Sequence, residues 1–137
     1  MNVGTRRRVN DGDIVADASA IIALLVGEPF TRFDPQRLAG AFVSAVNLSE
    51  VLTRLLDIRM PESEAAAAVA RLNFRAIAFD EPQAHAAARL RPQTRHAGLS
   101  LGDRACLALG LMLGRPVVTA DRVWENLDIG VEVILIR

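Results

Sequence analysis

Two kinds of apolar segment alternate along the chain. Short β-leaning runs occur at Ile14-Val15-Ala16, Ala41-Phe42-Val43-Ser44, Ala76-Ile77-Ala78-Phe79, Pro116-Val117-Val118-Thr119 and Val131 to Ile136, and each predicts a strand. Longer stretches with helical spacing lie between them. Ser19 to Val26 reads as a helix stopped by Gly27 and Pro29. From Asn47 to about Arg59, Leu48, Val51, Leu52, Leu55 and Leu56 fall on one helical face. Pro61 ends that helix and starts the Ala-rich one over 62–72. Residues 82–91 are expected to be helical, and Pro92 to Leu99 a loop. Gly102 to Leu113 is apolar nearly all round, which predicts a buried helix. A short helical turn is expected after Asp121.

Strands alternating with helices predict an α/β fold with a mostly parallel sheet of four to five strands, covered on both faces. Residues 1–13 are polar, carry Arg6-Arg7-Arg8 and read as a flexible leader; 14–137 read as one domain without repeat or linker. A length of 137 residues suits a single domain with a real core. No apolar run approaches the roughly 18 residues of a membrane span, and the N-terminus lacks the apolar segment of a secretory signal. The expectation is a cytoplasmic protein with no membrane partner.

Composition narrows the chemistry further. Sixteen basic and sixteen acidic side chains cancel, so charge alone does not announce a nucleic-acid binder. Every basic residue is Arg. Without Lys, a Lys-dependent phosphate loop, a Schiff-base enzyme and a Lys-assisted phosphoacceptor are excluded; without Tyr, so is a tyrosine nucleophile. Cys106 stands alone in an apolar run and reads as a small buried hydrophobe. His85 and His96 are not in ligand-spaced pairs and read as ordinary surface or partly buried residues.

Ligands of open parallel sheets bind beyond the carboxyl ends of the strands. Asp17 follows the first strand, Asn47 and Glu50 the second, and Asp121 the fourth; Asp103 opens the buried helix leading into the fourth. Four carboxylates at one sheet edge repel one another, and a divalent cation removes that penalty. Oxygen ligands without thiolate or imidazole favour magnesium, with manganese as the alternative. Each acid also has a local reading. Asn47-Leu48-Ser49-Glu50 and Ser100-Leu101-Gly102-Asp103 have capping-box spacing, Asp17 and Asp121 can cap the turns after them, and Glu50 can pair with Arg54. Glu62, Glu64, Asp80 and Glu81 read as helix-start acids, with Asp80 also at the right sheet edge.

Four segments together resemble the PIN domain, and within it the VapC toxins of bacterial toxin–antitoxin pairs. They are Ile14-Val-Ala-Asp17-Ala-Ser19-Ala20, Ser44-Ala-Val-Asn47-Leu-Ser-Glu50-Val-Leu52, Gly98-Leu-Ser-Leu-Gly-Asp103-Arg-Ala-Cys-Leu-Ala-Leu109 and Val118-Thr119-Ala-Asp121-Arg-Val-Trp124. The likeness runs from about Ile14 to Arg137. It implies a three-layer α/β/α fold and a magnesium-dependent endoribonuclease that leaves a 5′-phosphate and a 3′-hydroxyl. The implied catalytic acids are Asp17, Glu50, Asp103 and Asp121. Asp17 and Asp103 are the implied direct metal ligands, with Glu50 and Asp121 acting through water or on a second ion. Ser19, Asn47 and Thr119 are placed to orient them. The family further implies an RNA substrate, a homodimer and a small VapB-type antitoxin covering the cleft. Phe30 departs from the pattern, where a Gly is usual.

Arg104 and Arg122, each next to a site acid, are the expected phosphate contacts, with plain surface solubility as the other reading. Two further functions stay open: a PIN nuclease of RNA processing, and a non-catalytic PIN module that binds RNA or serves assembly. The second is expected to have lost site acids, and none is missing. A phosphatase-type site wants a second Asp two residues after the first, where this chain has Ser19.

Overall fold

Asp17 begins the first helix by capping it. Its side chain accepts from the Ala20 N–H, which the first turn would otherwise leave without a partner. The computed structural model describes residues 13–137. Strand β1 (Val15–Ala16) leads into α1 (Ala18–Val26), which Gly27 closes in the left-handed conformation, φ 80°. Strand β2 (Phe42–Ser44) leads into α2 (Ala45–Asp57), followed by α3 (Glu62–Ala70) and β3 (Arg75–Ile77). Then come α4 (Glu81–Thr94), α5 (Leu101–Leu113), β4 (Val117–Thr119), a 3-10 turn (Arg122–Asn126) and β5 (Val133–Leu135).

Among the described residues the five strands form one sheet in the order β3-β2-β1-β4-β5, with every pair parallel. Successive strand residues face opposite sides, and the core divides accordingly. Ile14, Ala16, Val43 and Val118 pack with α1, α2 and α3 on one face. Val15, Val117, Phe42 and Val133 pack with α4, α5 and Trp124 on the other. The result is the expected α/β/α sandwich. Connections leave β1 toward β2 on one side, whereas β4 joins on the other. The order therefore reverses between β1 and β4, and a crevice opens beyond their carboxyl ends.

Three local expectations are corrected. Helix α2 starts at Ala45, capped by Ser44, whose Oγ accepts from the Val46 N–H. Asn47 therefore lies inside the helix and is not its cap. Helix α4 runs through Pro92 to Thr94, where a loop was expected. The ring removes one N–H bond, but Leu90 and Thr94 are buried, and the Thr94 Oγ1 donates to the Leu90 carbonyl at 2.8 Å. Burial outweighs the local breaker. Strand β3 is set by its pairing with Phe42–Ser44 and lies at Arg75–Ile77, slightly before the expected run. The expected leader, 1–13, lies outside the described residues except for Asp13, which is nearly buried beside Arg75 at 3.3 Å and Arg115 at 3.9 Å. Phe30 packs against the first core face, and the N–H groups of Thr31 and Arg32 donate to the Ile136 carbonyl. No helix among the described residues is long and apolar enough to cross a membrane.

Candidate metal and nuclease site

The crevice at the reversal point is a cavity of about 410 Å³, and Asp17, Glu50, Asp103 and Asp121 all line it. The structure thus brings together the four acids singled out from sequence, across more than a hundred residues of chain. Asp80 is not among them; it caps α4 by accepting from the Gln83 N–H.

Asp17 is the most constrained. It is 3% exposed. One oxygen accepts from the Ala20 N–H at 2.9 Å and from the Ser19 hydroxyl at 2.8 Å; the other accepts from Thr119 Oγ1 at 2.6 Å. Ser19 Oγ in turn accepts from the Ala120 N–H, and Thr119 Oγ1 from the Asp121 N–H. Both hydroxyl protons therefore point at Asp17, and β1, α1 and the end of β4 are tied to one carboxylate. Burial pushes this carboxyl up from 3.8 to about 6, the three donors pull it back, and the charge of Asp103 adds to the rise.

Glu50 sits one turn into α2 and is exposed. Its Oε1 accepts from Asn47 Nδ2 at 2.9 Å, and the same amide donates to the Gly102 carbonyl at 3.0 Å. One Asn thus bridges α2 to the first turn of α5. The contact is close enough that a Cβ on residue 102 would collide with the Glu50 carboxylate. Asp103 forms the reciprocal capping box with Ser100. Asp121 accepts from the Val123 N–H, and the turn it starts is anchored by the fully buried Trp124.

Each acid therefore leans on a donor of its own segment. As they stand, no three acidic, His or Cys groups among the described residues form a set that could hold an ion. The donor chemistry nevertheless fits a hard divalent cation. All four groups offer oxygen only, Asp17 is held where its charge is poorly hydrated, and the buried Asn47 Oδ1 has no hydrogen-bond partner.

The expected phosphate contacts are corrected. Arg104 is turned away, donating to the Ala87 carbonyl at 3.0 Å, and neither it nor Arg122 lines the cavity. The arginines that do are Arg54 and Arg137, with Glu28 beside them. Arg54 was legible as a face-mate of Asn47 and Glu50, at helical spacings of seven and four. The pairing of Arg137 with Glu28, at 3.0 Å across 109 residues, left no local signal. Cys106 is fully buried, and burial raises its thiol pKa well above the ordinary value, as suits a packing residue. His85 and His96 are exposed.

The PIN domain family model matches residues 14–130, most of the chain and every segment that lines the crevice except Arg137. The chain belongs to the PIN domain family. No curated protein matches its sequence. Several solved structures share the PIN fold. The DNA-bound VapBC from Salmonella typhimurium is similar with a TM-score of 0.71 at 15% identity, over 91% of this chain and 98% of that one. VapC20 of Mycobacterium tuberculosis, described as a toxin cleaving the sarcin–ricin loop, gives 0.65 at 18%, over 88% and 99%. FitAcB from Neisseria gonorrhoeae gives 0.62 at 21%, over 88% and 96%. At such identities the likeness is one of fold.

Proposed function

We propose that this PIN domain is a metal-dependent endoribonuclease, the toxin of a toxin–antitoxin pair. The observation that carries the reading is the meeting of Asp17, Glu50, Asp103 and Asp121 around one cavity at the reversal point of a PIN sheet. Asp17 and Asp103 would hold magnesium (or manganese) directly, with Glu50 and Asp121 through water. When bound, such an ion supplies positive charge to a scissile phosphate and lowers the pKa of an attacking water.

The chain's own residues do the rest. Ser19 and Thr119 fix the two oxygens of Asp17 and leave it no freedom to rotate away. Asn47 holds Glu50 over the start of α5. The capping box sets the Asp103 backbone, and the Trp124 anchor sets that of Asp121. No histidine general base is assigned, since neither His lines the cavity; a carboxylate or the metal would take that role. The toxin role draws on solved neighbours such as a toxin–antitoxin complex from Klebsiella pneumoniae and the VapBC complex; a VapB-type antitoxin over the cavity and a homodimer belong to the same proposal.

The test is cleavage of total cellular RNA by purified, antitoxin-free protein. Discrete magnesium-dependent cuts are expected, lost in chelator and in Asp17→Asn. Cuts that survive Asp17→Asn would refute the site, and a folded protein inert on several RNA pools would leave the non-catalytic module.

A further inference from the structure

We propose that Arg54 and Arg137 grip the sugar–phosphate backbone of the substrate on either side of the acids; the assignment rests on the nuclease reading. Five carboxylates line the cavity, Glu28 beside the four site acids, and repel a polyanion; a net charge of zero offers no general attraction to offset this. A divalent ion offsets this at the scissile phosphate, and cationic side chains at the cavity serve the flanking ones. Among the described residues, Arg54 and Arg137 are the two that line it.

Their positions suit the task. Arg54 lies on α2 four residues beyond Glu50, about 6 Å along the helix axis. Its guanidinium has no hydrogen-bond or ion-pair partner among the described residues, so nothing must be broken before it binds. Arg137 follows β5, while α2 follows β2; these strands lie on opposite sides of the central β1–β4 pair that carries Asp17. A strand of nucleic acid running from one arginine to the other therefore passes over the acids. Arg137 is held by Glu28 in a partly solvent-exposed pair, which contributes little in water, so a phosphate can displace the carboxylate readily. The guanidinium fork matches a phosphate in two-point geometry.

The experiment compares wild type, Arg54→Ala, Arg54→Lys, Arg137→Ala and the remote Arg89→Ala on one end-labelled single-stranded RNA. Cleavage kinetics in magnesium and fluorescence anisotropy in chelator are read over a range of salt, with melting curves to confirm folding. Arg54→Ala is expected to raise KM about tenfold with kcat within about threefold, and to weaken metal-free binding equally. The slope of log affinity against log salt should fall by about 0.7 for each arginine removed. Arg54→Lys should recover part of the loss, and Arg89→Ala should match wild type. A wild-type KM and salt slope in Arg54→Ala would overturn the assignment. A wild type that neither binds nor cuts this RNA and several RNA pools besides would instead sink the nuclease reading and take the assignment with it.

Discussion

Asp17 occupies a place where water hydrates its charge poorly, and its three donors compensate only in part. Its carboxyl titrates near 6 in the fold and near 3.8 in the open chain. The native state therefore prefers the neutral acid. That preference contributes its full stability below pH 3.8 and is lost as pH rises through 6. About two units at 1.36 kcal/mol each come to roughly 3 kcal/mol at neutral pH. In chelator at pH 7.5, Asp17→Asn should unfold at higher urea, by about 1–3 kcal/mol, and the advantage should vanish near pH 4. An equal or lower midpoint at pH 7.5 would mean that the three donors already offset the burial. The residue expected to abolish activity is thus also expected to stabilise when replaced, as suits a group strained for function.

Among the elements, α2 and α5 were legible as helices from apolar spacing, because burial of Val51, Leu55 and Leu107 agrees with the local pattern. Their relation was not. Asn47 and Glu50 read equally well as a capping box, since spacing alone cannot say that Ser44 starts the helix one turn earlier. The same ambiguity at Ser100 and Asp103 resolved the other way, in favour of a true capping box. Pro92 misled for a related reason: a local breaker is visible in sequence, while the burial of Leu90 and Thr94 that overrides it is not. Gly102 gives a test at this scale. It lies in a helix without positive φ, so Ala is tolerated by the backbone, but a Cβ must displace the flexible Glu50 carboxylate. Gly102→Ala should keep its stability within about 1 kcal/mol while RNA cleavage falls at least tenfold. Comparing its melting curve with its rate separates the two effects; full activity would mean Glu50 need not lie over α5.

For the whole molecule, the sheet and the set of four acids could be anticipated because strand-to-helix junctions mark one edge of a parallel sheet. Which arginines share that edge could not, since Arg137 reaches it only through β5 and its contact with Glu28. A site contributed by both layers also ties ion binding to global stability. Millimolar magnesium should raise the wild-type melting temperature by about 5 °C over chelator and leave Asp17→Asn unmoved. A wild-type curve indifferent to magnesium and manganese would count against the metal site. The hydrogen bond from Thr119 to Asp17 spans 102 residues and joins the strands on which the crevice is built. A ribosome making this chain delivers Asp17 earlier than Thr119, by 102 residues. Until β4 docks against β1, the emerging polypeptide has acids but no active centre. If the chain is the nuclease proposed, the messenger and ribosome producing it stay out of its reach until Thr119 has emerged and β4 has docked.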